Sequence, residues 1–109
     1  MSLVIVVTLD KKYIMTKSEK KAQLNKMIAE FLNTTDKEAL KTIRDVIYAE
    51  VNKLPMSSHD RNHTEEEMDL WTYNSNRYID NPNNTAARTS LMSDFDAIVK
   101  VVDVSLLKN

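Results

Sequence analysis

The sequence predicts a mainly α-helical fold: a small four-helix domain with a β-like strand or hairpin at its N-terminus. Three observations lead there. The 109-residue chain contains no glycine, although average usage of about 7% would place roughly eight in this length. A Thr-x-x-Glu pattern recurs at Thr16–Glu19, Thr35–Glu38 and Thr64–Glu67. Such a pair lets a hydroxyl and a carboxylate each satisfy a backbone N–H left open at a helix start. Apolar residues also recur with helical period from residue 17 onward. Tight hairpins lean on glycine for their positive-φ positions, so a glycine-free chain favours helices over sheet-rich folds. At 42% hydrophobic and 28% charged, the composition is that of one globular domain.

The first helix is expected over residues 17–32, with Leu24, Met27, Ile28, Phe31 and Leu32 on one stripe and Asn33 as a left-handed terminal residue in place of glycine. The second is expected over residues 36–54, carried by Ala39, Leu40, Ile43, Val46, Ile47 and Val51 and stopped before Pro55. The short "NTT" connection makes the two a helical hairpin. "PMSSHDRNH" reads as a polar loop, and the third helix is expected over 65–79 behind a Thr64 cap, with Met68, Trp71, Ser75, Tyr78 and Ile79 inward. Pro82 breaks the chain, since the residue before a proline is biased away from helix. The last helix begins near Thr85 or Ser90 and continues to about Leu107, supported by Leu91, Phe95, Ile98, Val102 and Leu106. It has a rival. "IVKVVDV" is rich in β-branched residues, so an α+β fold with N- and C-terminal strands paired is the alternative.

The expected organisation is a β-like extension over residues 1–14 followed by a single helical domain over 15–109. The run "LVIVVTL", residues 3–9, is apolar enough to need a partner strand. A two-stranded hairpin alone is marginal in water, which favours pairing with a second copy in a symmetric homodimer. Met15 allows a chain without residues 1–14 to keep every predicted helix.

Composition excludes several kinds of chemistry. Without cysteine there is no disulfide framework, thiolate metal site or cysteine nucleophile. Without glycine there is no Walker loop, dinucleotide fingerprint or nucleophile elbow. No stretch approaches the ~18 apolar residues of a membrane span, and the start lacks the pattern of a secretory signal. A cytoplasmic location, no membrane and no cofactor are therefore expected. The net charge of −1 divides unevenly: residues 1–41 carry eight lysines against five acids, and residues 42–109 carry seven basic groups against eleven acids. High lysine and asparagine content without glycine resembles the composition of small proteins from AT-rich phages and mobile elements.

Three clusters merit weighing. His59 and His63 stand four apart with Asp60 between them and Glu65, Glu66 and Glu67 behind. A zinc-binding H-x-x-x-H needs both histidines one turn apart on a helix. A helix starting at Thr64 would leave them in the preceding loop, with the glutamates there to complement the helix dipole. The expectation is a helix start, with no metal. The second cluster, Lys17, Lys20, Lys21 and Lys26 on the first helix, has the charge to meet phosphates. It lacks the interleaved aromatics of a single-strand platform, and acids open the next helix. Third, Trp71, Tyr73 and Arg77 on the third helix have the composition of a protein-interface anchor, although aromatics at this spacing also serve as core. Thr85, Thr89 and Ser90 have no histidine or lysine base nearby in sequence, so a hydroxyl nucleophile is not expected. The sequence points to a non-catalytic binding protein, a regulator or inhibitor acting by protein–protein contact. The alternative is a nucleic-acid-binding regulator using the lysine face.

Overall fold

A computed structural model of the chain describes residues 15–109. Residues 1–14, with the strand expected over 3–9 and the dimer expected through it, lie outside the described residues. Four helices follow in order: α1 (Lys17–Leu32), α2 (Lys37–Asn52), α3 (Ser58–Asp80) and α4 (Thr85–Val104). Among the described residues there is no strand. The α+β alternative loses its C-terminal half, because residues 98–104 are helix. β propensity is weak against a register that buries Ile98, Val101 and Val102 on one face of a helix.

Each start has its own cap. At α1 the expected reciprocal box forms: the Thr16 hydroxyl accepts from the Glu19 N–H at 3.2 Å, and the Glu19 carboxylate accepts from the Thr16 N–H at 2.9 Å. At α2 the cap is Asp36 rather than Thr35, its carboxylate accepting from the Ala39 N–H at 2.9 Å. A charged acceptor at this end also gains from the helix dipole. Asn84 caps α4.

The largest departure is at α3, whose N-cap lies seven residues before the expected one. Ser57 is the N-cap: its hydroxyl accepts from the Asp60 N–H at 3.2 Å and donates to the Asp60 carboxylate at 3.0 Å. Thr64 is instead a buried residue about two turns further on, its hydroxyl donating to the Asp60 carbonyl at 2.8 Å. Arg61 helps hold this first turn, donating to the Asn52 and Leu54 carbonyls at the end of α2 at 3.1 and 2.5 Å.

The helix ends dispense with glycine. Asn33 has φ −98°, not the left-handed value expected, and among the described residues no φ is positive. Its N–H reaches back to the carbonyls of Ala29 and Glu30 at 3.1 and 3.2 Å, a tightened last turn that needs no αL residue. α4 stops at Val104 rather than Leu107 because the tail is drawn into two long-range backbone bonds. The Leu106 N–H donates to the Pro55 carbonyl, and the Lys17 N–H donates to the Lys108 carbonyl, both at 2.7 Å. Leu106 is thereby turned outward, 69% exposed, while Leu107 packs against the core.

The helices close a ring: α1 packs on α2 and α4, α2 on α3, and α3 on α4, the last pair sharing the most extensive seam. One apolar cluster fills the ring, including Leu24, Phe31, Leu40, Ile47, Val51, Met68, Trp71, Leu91, Phe95, Ile98 and Val102. Phe31 lies 5.5 Å from Tyr78 and 5.6 Å from Phe95, and Trp71 lies 6.0 Å from Phe95 between ring centres. Each such side chain contributes about 1.5–3 kcal/mol by leaving water.

Candidate functional site

The long α3 presents an outer face beside α2, and together they frame an open groove of about 480 Å³. Arg44, Asp45 and Tyr48 line it from α2, and Asp69, Thr72 and Asn76 line it from α3. α2 buries the stripe of Leu40, Ile47 and Val51, and Arg44 and Tyr48, one turn apart, run along its edge, the first half-buried and the second exposed. The Arg44 guanidinium crosses the groove to the Asn76 side-chain carbonyl at 2.6 Å and also reaches the Asp45 carboxylate at 3.0 Å.

Tyr73, four residues after Asp69 and three before Asn76, continues this surface and is 62% exposed. The Arg77 guanidinium lies 5.7 Å from the centre of its ring, a cation–π distance. Arg77 also donates to the Asn74 side-chain carbonyl at 3.4 Å, and the Asn74 amide donates to the buried Asp94 carboxylate at 2.6 Å. A surface aromatic is thus tied through Arg77 and Asn74 to α4. Val46 and Leu70 add exposed apolar area on the same two helices.

The three expected anchors separate. Tyr73 is on the surface and Arg77 is half-buried beneath it, but Trp71 is fully buried in the core. A three-residue run on a helix cannot face one way: two positions on is about 200° around the axis. Arg44, Tyr48 and Asn76 were not among the residues singled out from the sequence. Arg44 and Tyr48 border the buried stripe of α2, and nothing local identifies the helix they face.

The lysine cluster is also divided. Lys20 is buried and its ammonium meets the Glu50 carboxylate at 2.5 Å, while Lys53 approaches the other Glu50 oxygen at 3.4 Å. The Lys20 hydrogen bond, opposed by burial and aided by the charges of Lys20 and Lys53, holds the Glu50 carboxyl below its ordinary range. Lys21 pairs with Asp103 at 2.6 Å, and the Lys17 ammonium donates to the Asp103 carbonyl at 2.8 Å. Lys26 is exposed. Three of the four cations are turned toward groups of their own chain.

His59 and His63, expected in a loop, lie on α3 one turn apart and exposed, their ring centres 4.8 Å apart at 78°. The His63 Nδ1 is 3.7 Å from the Glu66 carboxylate. Among the described residues no three His, Asp or Glu side chains gather in a geometry that would enclose a metal ion. The Thr89 hydroxyl is engaged by the Thr85 carbonyl at 3.0 Å. No described helix is long and apolar enough to cross a membrane. Comparison of the chain with protein-family models, with characterised proteins and with solved structures finds no match.

Proposed function

We propose that the chain is a small non-catalytic binding protein, a regulator or inhibitor that engages a protein partner through the α2–α3 face. The observation that carries this reading is the cluster of exposed Tyr48 and Tyr73 with Arg44, Arg77 and Asn76. Tyrosine and arginine are the residues most enriched at protein interfaces, because each brings a large contact area and a polar group. The groove is open and lined largely by polar and charged side chains. A small-molecule site is typically concave and mostly apolar, so a macromolecular surface fits this lining better.

The test begins by identifying the proteins that the wild type retains from its native host. Each purified candidate is then measured against Tyr48→Ala/Tyr73→Ala and against the control Lys26→Ala. Loss of two anchors is expected to weaken binding by at least about thirtyfold, the size of one ~2 kcal/mol hot spot. The control is expected to bind as wild type. Equal binding by the tyrosine variant would remove this face from the function.

The nucleic-acid reading has less support, since Lys17, Lys20 and Lys21 contact acceptors of their own chain. Duplex DNA is expected to bind no tighter than the ~10⁻⁴ to 10⁻⁶ M of non-specific contacts at physiological salt. Submicromolar, steeply salt-dependent binding lost in Lys17→Ala/Lys21→Ala/Lys26→Ala would reinstate it. Self-association through residues 3–9 remains part of the proposal. Sedimentation of the full chain against one lacking residues 2–9 tests it, and a monomeric full chain would refute it.

A further inference from the structure

The extended start of α3 changes what the two histidines can do. With Ser57 as the cap, His59 and His63 occupy one helical face, four residues apart and about 6 Å along the axis. We propose that they form a two-nitrogen chelate for a divalent transition-metal ion of imidazole preference, Zn²⁺, Ni²⁺ or Cu²⁺. Tetrahedral coordination at ~2.0–2.1 Å brings two ligating nitrogens to within about 3.3 Å of each other. The ring centres lie 4.8 Å apart on an exposed face, one turn apart on the helix, the spacing at which two histidines can share one ion.

Glu66 sits 3.7 Å from the His63 Nδ1, beyond hydrogen-bond distance, so the proposal rests on the placement of the two rings. The local charges act in both directions. Asp60 and Glu67 border His63, while Lys100 faces it from α4 across a shared groove, and the positive helix start also opposes a cation. Two ligands leave the remaining coordination positions to water or to a donor from another molecule. This is a binding site without the protease arrangement, because the residue after His59 is Asp60, which is engaged with the Ser57 cap.

The experiment uses the full chain without a polyhistidine tag, titrated calorimetrically with ZnCl₂ or NiCl₂ alone and melted at rising metal concentration. One ion per chain is expected to bind, and the melting temperature is expected to climb with metal, since the folded helix presents the chelate and the unfolded chain disperses it. His59→Ala and His63→Ala are each expected to abolish both effects with the metal-free melting temperature unchanged. Mg²⁺, which prefers oxygen ligands, is expected to do nothing. The proposal is overturned if neither metal binds the wild type. It is equally overturned if the histidine variants bind as well as wild type, or if Mg²⁺ stabilises as much as Zn²⁺, which would assign the effect to the carboxylates.

Discussion

The α1–α2 and α3–α4 hairpins are joined by loops of the same length, residues 33–36 and 81–84, yet they are held by different physics. α3 and α4 share a long seam in which Trp71 and Tyr78 meet helix α4 and α1 aromatics, and the polar element inside it is a buried amide–carboxylate bond, Asn74 to Asp94. α1 and α2 meet more briefly, and their seam is closed at one end by an ion pair, Lys20 to Glu50. The seam richer in apolar area encloses the Asn74 amide and the Asp94 carboxylate by pairing them with each other, while the Trp71 Nε1 is buried there with no hydrogen-bond partner. The poorer one keeps its charges near the rim, where Glu50 retains contact with water. The lesson concerns α2: bound tightly to neither neighbour, it leaves its Arg44–Tyr48 edge free to form the open groove with α3.

Substitutions can break this comparison, beginning with the most damaging. Trp71→Ala is expected to cost about 3–5 kcal/mol, the range for emptying a large buried aromatic site, whereas Tyr73→Ala, two residues on, should stay within about 0.5 kcal/mol. Urea denaturation of the pair checks this directly. Comparable losses would mean that the two faces of α3 are not distinct.

Asp94→Ala comes next, at about 2 kcal/mol, because it strands the buried Asn74 amide without an acceptor. Lys20→Ala is expected to cost somewhat less, about 1–2 kcal/mol, below the ~3–5 kcal/mol seen when one partner of a fully buried pair is removed. If Lys20→Ala proved the costlier, the α1–α2 seam would be the more electrostatic and the more essential of the two.

Acid provides a subtler probe of the same seam. The Glu50 carboxyl is held below its ordinary value of 4.5. A carboxylate with a depressed folded-state pKa binds fewer protons folded than unfolded, so its stabilisation is present above 4.5 and fades as pH falls through the folded value. Thermal melts are expected to show Glu50→Gln less stable than wild type at neutral pH, with the difference narrowing below about pH 4.5. A difference constant with pH would deny the pair its electrostatic role.

The smallest expected effect locates the start of α3. Ser57→Ala should cost about 1 kcal/mol, the usual loss of an N-cap hydroxyl. Thr64→Val, which keeps the buried shape and removes only a hydroxyl bonded within the helix, should cost less. The reverse order, read by the same denaturation curves, would return the cap to Thr64 and His59 and His63 to a loop.

Much of the fold was legible from local rules. Helix existence followed from apolar period, and the Thr16 box was read atom for atom, since both its partners lie within one turn. The inward set Met68, Trp71, Ser75, Tyr78 and Ile79 was likewise correct, because register on a helix is a matter of spacing. What failed was competition between equivalent local signals. "TTDKE" contains two possible caps, and "SSHDRNHTEEE" contains Ser57 and Thr64; a tertiary contact of Arg61 with the end of α2 favours the earlier start. The surface groove was not legible, because Arg44 and Tyr48 border the buried stripe of α2 and a helix's sequence does not name the neighbour its edge residues face.

By itself, then, the sequence determined that helices would form within residues 17–32, 36–54 and 65–79, favoured helix over strand for the last segment, and showed where the apolar stripes would run, all consequences of backbone preference and periodicity within a turn or two. Only the tertiary structure decided which cap would act at α3, that Lys20 would be buried against Glu50, that the tail would leave α4 at Val104 to bond Pro55, and that Arg44 would meet Asn76. Each of these depends on groups far apart in the chain, whose proximity is set by how the helices close their ring and by no property of the segments that carry them.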